Sequence, residues 1–469
     1  MTRFLHTADW QIGKPYLSVE DDRKRFRLQQ ERLQVIERIG TVVQRQAASF
    51  VLVAGDLFDS PTVPNGAVME VMEAIGSLEV PVLVIPGNHD HGAAGSLWFR
   101  SDLRRQQRQR APNLQVLLER RPLELDEAVL LPCPLLRRSE SSDPSAWITA
   151  LDWSSLPRHK PRIVLAHGGV QGFGGRDYET ESHSPAGGGN RLDLGRLSES
   201  EIDYIALGDW HNLRQVSPRA WYSGTPEPDR FDQGEGNQRG QVLLVEASRG
   251  ALPEVTIAAT GRLGWHNLAV HFSQDDDLER FSARLDSLLE GRVARDLVRL
   301  EVSGSLSLAG HRRYDALIEE LRDQLLRLRL KGQCQQAPQA AELQALTERP
   351  ADPLIATVAS QLHQRLEREE AADRETADHE ATDREATDRE ATEREAAVIR
   401  AALCQLYALV ESHGPEMPCS EAESLRSQNL VNLTPGSGPS AASPSRNNPE
   451  PTRPGVTDLA IESPAPPAP

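Results

Sequence analysis

The chain has few features that would hold it in a membrane or cross-link it covalently. It contains no run of eighteen or more apolar residues, so the sequence predicts no membrane-spanning helix. Its first residues, MTRFLHTADW, lack the charged start, apolar stretch and cleavage site of a secretory signal, and we expect a cytoplasmic protein. The four cysteines, Cys133, Cys334, Cys404 and Cys419, form no CxxC pair, which argues against a zinc knuckle or a disulfide framework.

Positive charge is also scarce, because 52 Lys and Arg residues stand against 69 Asp and Glu residues. The resulting net charge of −17 argues against a broad basic face for nucleic acid. The excess is partly local, since residues 367–395 contain thirteen acidic residues and five arginines. Acidic metal sites also count as negative until their ions are bound. A local groove for DNA is therefore still compatible with the composition.

Residues 1–262 alternate compact apolar runs with helical stretches. Such runs are typical of strands that are buried on both faces, and the pattern predicts a mixed α/β domain. The predicted strands of this domain are residues 3–6, 50–54, 80–85, 128–131, 162–166, 204–207 and 241–246.

A second unit of alternating strands and helices follows at 263–332. Residues 265–272 and 297–302 are predicted strands, and residues 278–289 and 314–328 are predicted helices. The last helix is predicted from Tyr314, Leu317, Leu321, Leu325 and Leu328, which recur at the three- and four-residue spacing of one helix face. The pattern indicates a small appended α/β domain.

From residue 333 the composition changes, and we predict a helical segment at 333–413. Residues 350–366 and 396–410 have helical apolar spacing, and repeats of EATDR separate them. A five-residue step rotates a helix by ~140° beyond one turn, so the repeat keeps no constant face. It is either a solvated helix or a disordered spacer. Residues 414–469 are rich in Pro, Ser and Asn and are predicted to be disordered.

Polar side chains follow five of the predicted strands directly. Open α/β sheets collect their chemistry in loops beyond the carboxyl ends of strands, so we expect five loops at one edge of one sheet. A ligand set of oxygen and nitrogen donors without thiolates is more typical of Mn²⁺ or Fe²⁺ than of a sulfur-rich zinc site. Gly55, Gly87 and Gly208 are predicted to allow the sharp turns that aim these side chains. The polar residues are Asp9, Gln11, Asp56, Asp59, Asn88, His89, Asp90, His167, Asp209 and His211.

The order of the motifs resembles that of the calcineurin-like metallophosphoesterases: D-x-[H/Q], GDxxD, GNHD, a single His, and a final x-x-H. Within that group, HTADW at 6–10 and YSGTP at 222–226 resemble the SbcD-type DNA double-strand-break repair exonucleases. The resemblance covers about 1–245 well and extends weakly over 263–332.

The resemblance implies a four-layer metallophosphoesterase sandwich, in which two central mixed sheets are flanked by helices. It assigns residues 1–262 to the catalytic domain and 263–332 to a small α/β capping domain. The helical segment with its charged spacer, 333–413, and the disordered tail, 414–469, complete the expected organisation.

The resemblance also implies a two-metal site. One ion would be bound by Asp9, Gln11, Asp56 and His211, and the other by Asp56, Asn88, His167 and Asp209. Asp56 would bridge the ions, and a water or hydroxide between them would be the nucleophile.

Three further residues have implied roles at this site. His89 would stabilise the transition state or protonate the leaving oxygen, while Asp59 and Asp90 would orient ligands by hydrogen bonds. Gln11 and Asp209 depart from the family, where histidine is commoner, and make the site richer in oxygen. We therefore expect Mn²⁺ to be preferred over Zn²⁺, and the ion at Gln11 to be bound more loosely.

The leading functional hypothesis is a Mn²⁺-dependent phosphodiesterase, specifically a DNA exonuclease involved in repair. The alternatives are a phosphoesterase for small substrates, such as cyclic nucleotides or phosphomonoesters, and a catalytically weak scaffold. The arginines at 100, 104, 105, 108 and 110 either contact DNA phosphates or form a solvated helix face.

In the family, a helical pair after the capping domain docks an SbcC-type ATPase partner. This chain offers two candidate apolar faces for that partner, and self-packing of the helices is the alternative. The candidate faces are Leu354, Ile355, Val358 and Leu362, and Leu403, Leu406 and Leu409.

Overall fold

A computed structural model describes residues 1–171, 189–232, 238–289, 291–350, 352–377 and 383–413. Residues Met1–Ser412 form one compact unit. The predicted disordered tail, 414–469, lies outside the described residues. No helix in the described part of the chain is both long enough and apolar enough to span a membrane.

The described residues form strands and α-helices that alternate along the first half of the chain. The strands are β1 Thr2–Thr7, β2 Val51–Ala54, β3 Val82–Ile85, β4 Leu114–Val116, β5 Leu123–Glu124, β6 Val129–Cys133, β7 Arg162–His167, β8 Gly169–Val170, β9 Arg191–Leu192, β10 Tyr204–Gly208, β11 Arg214–Ser217, β12 Ala220–Tyr222, β13 Gln241–Ala247, β14 Glu254–Ala259, β15 Gly264–Phe272, β16 Asp296–Leu306, β17 Arg327–Gly332 and β18 Gln335–Gln336. The helices are α1 Asp22–Gln46, α2 Asn65–Gly76, α3 Ser101–Arg110, α4 Asp276–Leu289, α5 Leu308–Gln324, α6 Ala340–Thr347, α7 Pro353–Ala377 and α8 Asp383–His413.

Two mixed six-stranded sheets form the centre of the first domain. The first sheet has the order β14-β13-β1-β2-β3-β4, and β1 to β4 run parallel. The second sheet has the order β11-β12-β10-β7-β6-β5, with β12, β10, β7 and β6 parallel. The seven predicted strands of this domain are all present, and the predicted four-layer α/β architecture is confirmed.

The central strands are apolar throughout because both of their faces are buried. Successive side chains point to opposite faces, so Leu52 packs between the two sheets. Its neighbours Val51 and Val53 pack on the other face with Val35 and Ile39 of α1. The outer face of the second sheet is covered by short 3₁₀ segments at Ala146–Ala150, Trp153–Ser155 and Leu194–Arg196.

Residues 264–336 contain a separate parallel sheet with the order β15-β16-β17, on which β18 pairs with β16. Helices α4 and α5 pack on this sheet around Phe272, Phe281 and Ile318. The prediction of one helix over 314–328 was wrong at its end. Helix α5 stops at Gln324, and Leu328 lies in β17. The leucines there recur at alternate positions as well as at helical spacing, and pairing with β16 favours the strand.

The C-terminal helices predicted over 350–366 and 396–410 are confirmed and are longer than predicted. Leu366 of α7 and Leu403 of α8 are buried together with Leu308 and Leu346. These helices therefore pack on each other and on the start of α5. The predicted boundaries at 262 and 332 stay predictions.

Candidate metal centre

The loops after β1 and β2 are held side by side by backbone hydrogen bonds that continue beyond the two strands. The amide of Asp9 donates to the Gly55 carbonyl (3.1 Å), and the amide of Gln11 donates to the Asp56 carbonyl (2.9 Å). The φ angles of Asp9 (55°), Gln11 (43°) and Asp56 (53°) are positive, which places these residues in the left-handed region. Such conformations are costly for residues with a Cβ atom and concentrate at functional sites.

The five polar loops come from two sheets, so the expectation of one edge of one sheet was wrong. β1, β2 and β3 belong to the first sheet, whereas β7 and β10 belong to the second. The sheets stack so that the carboxyl ends of these strands meet. His167 of β7 donates from Nδ1 to the carbonyl of Ala54 in β2 (2.7 Å), which ties the two sheets together at the site.

Five of the predicted metal ligands, Asp9, Asp56, Asn88, His167 and Asp209, form what we call the His167 cluster. His167 Nε2 lies 2.9 Å from Asn88 Oδ1, 3.6 Å from Asp56 Oδ2 and 3.7 Å from Asp209 Oδ1. Both carboxylate oxygens of Asp9 accept from the amide of Asp209 (3.2 Å). Ligand atoms of Asp9, Asp56 and His167 all lie within 4.8 Å of one another, and the three residues are buried.

Two glycines make room for this cluster. Gly55 has φ +89°, and a Cβ atom there would lie 2.2 Å from His167 Nδ1. A Cβ atom at Gly87 would lie 2.1 Å from Asp56 Oδ1. Glycine is therefore required at these positions because the side chains of His167 and Asp56 leave no room for a Cβ atom.

The electrostatics of the His167 cluster favour a bound cation. Burial alone would lower the pKa of His167, but the charges of Asp56, Asp209 and Asp9 outweigh burial and raise it to about 9. Burial raises the pKa of Asp9 well above its usual value, and the charge of Asp56 adds to that effect. Because Nδ1 is used by Ala54, the Nε2 lone pair faces oxygen acceptors. A proton or a divalent ion between them stabilises that arrangement, so these residues fit a metal ion.

The GNHD loop is fixed by Asp90, whose buried carboxylate accepts from the amides of Gly87 (2.7 Å) and Phe58 (3.2 Å). Burial raises the pKa of Asp90 to about 7, and the charge of Asp56 adds to the rise. His89 lies beside the cluster, with Nε2 4.0 Å from Asp56 Oδ2.

His89 Nδ1 lies 2.7 Å from the backbone carbonyl of Asp59. A carbonyl only accepts, so Nδ1 carries the proton. The contact that orients His89 is thus made by the backbone of Asp59.

The remaining predicted ligands, Gln11 and His211, lie in a second group with Lys14, Asp229 and Arg230, which we call the His211 cluster. Gln11 Nε2 lies 3.2 Å from His211 Nε2, and Lys14 Nζ lies 3.0 Å from Gln11 Oε1. Asp229 Oδ2 lies 2.9 Å from His211 Nδ1 and 2.9 Å from Lys14 Nζ. Burial, followed by the charge of Arg230, lowers the pKa of His211 well below its usual value.

Sequence reasoning missed Lys14, Asp229 and Arg230, which are functional candidates through their contacts with Gln11 and His211. Lys14 follows Gly13 in the first motif, and Asp229 and Arg230 lie shortly after YSGTP. Thr225 of that stretch donates from its hydroxyl to the Asp9 carbonyl (2.9 Å). The position of these residues beside recognised motifs was the available signal.

Comparisons with known proteins match the part of the chain that contains both clusters. The model of the calcineurin-like phosphoesterase family matches residues 2–236. The D component of the nuclease SbcCD from Bacillus subtilis (strain 168) is 33% identical over 93 residues, which are 19% of this chain and 22% of that protein. The same component from Staphylococcus epidermidis is 24% identical over 265 residues, which are 52% of this chain and 66% of that protein. The matches thus span less than two thirds of either relative.

Among solved structures, TT1561 of Thermus thermophilus matches 55% of this chain and 99% of its own chain. The TM-score is 0.34 and the sequence identity 11%.

Proposed function

The chain belongs to the calcineurin-like phosphoesterase family, and from this premise we propose that it hydrolyses phosphodiester bonds in DNA. The observation that carries the proposal is the convergence of Asp9, Asp56 and His167, whose ligand atoms lie within 4.8 Å of one another inside the matched domain. A divalent ion bound there would polarise a phosphoryl oxygen and lower the pKa of a bound water. Asn88 and Asp209 complete the proposed ligand set, and Mn²⁺ suits these oxygen donors.

His89 is the proposed general acid. Its side chain is 27% exposed, so a substrate can reach it, while Nδ1 is held by the Asp59 carbonyl. In hydrolysis, water oxygen bonds to phosphorus and the bond from phosphorus to the 3′-oxygen breaks. A protonated Nε2 of His89 would give its proton to that leaving oxygen.

The arginines of α3 support a DNA substrate. Trp98 donates from its indole to the carbonyl of Asp90, which joins the start of α3 to the GNHD loop. Arg105 and Arg108 are exposed on that helix, whereas Arg110 pairs with Glu73. Exposed arginines can contact phosphates without reading bases.

The finer assignment to a repair exonuclease draws on the two relatives named as parts of a nuclease. An SbcC-type ATPase partner is part of the same proposal, as is a cytoplasmic location. Leu354 of α7 (73% exposed) and Val398 of α8 (68% exposed) offer apolar contacts to such a partner. Replacing both with Glu should abolish co-purification of the ATPase while DNA cleavage by the free chain persists.

A second candidate function is hydrolysis of small phosphoesters, which the net charge of −17 favours because it disfavours long polyanions. One assay separates the candidates. The full chain is incubated with Mn²⁺ and either end-labelled linear duplex, covalently closed circular duplex, or bis-p-nitrophenyl phosphate. An exonuclease degrades the linear duplex and spares the closed circle. Cleavage of the small ester alone supports the second candidate, and cleavage of none contradicts both.

A further inference from the structure

The imidazoles of the His167 cluster and the His211 cluster have different partners. From that difference we infer that the chain binds one divalent ion, which lies in the His167 cluster. Hydrogen bonds within the His211 cluster prevent a second divalent ion from binding there. This inference rests on the proposed function, since it concerns the metal centre of that activity. It departs from the two-ion site that the sequence resemblance implied.

Lys14 fixes the orientation of the Gln11 amide. An ammonium group has only donors, and Lys14 Nζ lies 3.0 Å from Gln11 Oε1. Turning the amide over would bring two donors together, so the oxygen must face Lys14. The amide oxygen, which is the only atom of Gln11 suited to bind a metal ion, therefore already accepts a hydrogen bond from a cationic group. Its NH₂ group points to His211 instead.

Both ring nitrogens of His211 then have close partners as well. Nε2 lies 3.2 Å from the amide nitrogen of Gln11, which donates, so Nε2 accepts with its lone pair. Nδ1 then carries the ring proton, and it lies between the acceptor Asp229 Oδ2 at 2.9 Å and the donor Arg230 Nη2 at 2.8 Å. A metal ion needs the lone pair that Gln11 occupies. Binding one would require Gln11 to leave both Lys14 and His211.

Charge adds to this closure. Lys14 Nζ lies 2.9 Å from Asp229 Oδ2, and Arg230 Nη2 lies 2.8 Å from His211 Nδ1. Arg32 Nη2 lies 4.0 Å from the Asp229 carboxylate, which Lys14 and Arg230 both contact. A divalent ion placed beside His211 would be repelled by these cations. In the His167 cluster, by contrast, three carboxylates surround the imidazole.

The positions of the ligand atoms agree with this division. Asp9, Asp56 and His167 have ligand atoms within 4.8 Å of one another. Within the part of the chain that the structure describes, His211 joins no such group of three. Lys14 and Arg230 therefore supply positive charge at the position where a second ion would otherwise do so.

The test is the number of Mn²⁺ ions bound by the metal-free full chain, counted by equilibrium dialysis and metal analysis. Electron paramagnetic resonance distinguishes an isolated Mn²⁺ from a spin-coupled pair. We expect one ion per chain with an uncoupled spectrum. His167→Ala should lose that ion, and His211→Ala should retain it.

Removing the contacts that Gln11 and Lys14 make in the His211 cluster gives a gain-of-binding test. The double variant Gln11→His with Lys14→Met supplies an imidazole and removes one cation, so it should bind two ions with a coupled spectrum. Gln215→His, an exposed glutamine on β11, is the matched control and should bind one. A double variant that folds and still binds one ion would overturn the role given to Gln11 and Lys14.

The outcomes also separate this inference from the proposed function. A wild-type chain that binds a coupled pair and cleaves DNA overturns the inference alone. A chain that binds one ion and cleaves no phosphodiester overturns the proposed function alone. If no ion binds, both are overturned. If His211→Ala loses the single ion and His167→Ala keeps it, the ion is bound in the His211 cluster and the inference is wrong.

Discussion

The His167 and His211 clusters share the loops after β1 and β10 and each contains one histidine, yet the partners of the two imidazoles are opposite. Nε2 of His167 faces oxygen acceptors at 2.9, 3.6 and 3.7 Å, whereas Nε2 of His211 faces the amide NH₂ of Gln11 at 3.2 Å. The first arrangement needs a cation, and the second is satisfied without one. A histidine in the right motif therefore does not define a metal site until its partners are known.

Asp56→Asn should have the largest effect, because it removes a charged ligand from the His167 cluster. Loss of a partner that only orients a ligand typically costs 10–100-fold in metal affinity or activity, so we expect a loss of more than about 100-fold in both. Isothermal titration with Mn²⁺ and the DNA cleavage assay measure this change.

Asp59→Asn in the same motif is the matched control for Asp56→Asn. The backbone of Asp59, which the substitution preserves, makes the contact with His89. We expect less than about a 10-fold change, below the range given for partners that orient ligands. Equal losses in the two variants would refute the special position of Asp56.

Asp90→Ala should destabilise the loops that carry Asp56 and Asn88. The change leaves the buried amides of Gly87 and Phe58 without an acceptor. At roughly 2 kcal/mol for each unsatisfied group, the free energy of unfolding should fall by roughly 4 kcal/mol in urea denaturation. Asp90→Asn retains one acceptor oxygen and should lose less, and a neutral Asp90→Ala change would contradict this role.

The pH dependence of stability should distinguish the metal-free chain from the Mn²⁺-bound chain. The pKa of His167 is raised from 6.5 to about 9 in the folded state, so its contribution is complete below pH 6.5 and is lost as the pH rises through 9. This shift corresponds to roughly 3 kcal/mol. The raised pKa of Asp9 acts in the same direction.

Mn²⁺ replaces that proton, so the metal-bound chain should keep its stability over the same pH range. Urea denaturation at pH 6 and at pH 9.5, with and without Mn²⁺, measures the difference. Identical pH profiles for the two forms would show that the His167 cluster does not exchange a proton for an ion.

The smallest expected effect concerns DNA contacts away from both clusters. Arg105→Glu should weaken DNA binding a few-fold and reduce the slope of log affinity against log salt by about one unit. Arg158→Glu is the control, because Arg158 is exposed shortly before β7, at the opposite edge of the sheet. If both variants change the slope equally, α3 is not the contact surface.

The sequence predicted the buried strands well because apolar runs with both faces covered are unambiguous. It did not predict β14, whose alternating Glu254–Ala259 segment is largely exposed. Nor did it distinguish helix from strand at Leu328, where both spacings fit. The seven candidate ligands were predicted from their motifs, but assigning them to one sheet was wrong, since strand order depends on pairings between distant segments.

The partners of the ligands were harder to predict than the ligands themselves. Lys14 lies three residues from Gln11, whereas Asp229 lies eighteen residues from His211 and contacts it only through the fold. The orientation of the Gln11 amide depends on those contacts. Motif spacing therefore could not predict how many ions the centre binds.

The most direct test of the central claim is anomalous diffraction at the manganese edge from crystals of the full chain grown with Mn²⁺. A peak surrounded by Asp9, Asp56, Asn88, His167 and Asp209, with none between Gln11 and His211, is the predicted result. Strong peaks in both places, or a single peak beside His211, would contradict the account.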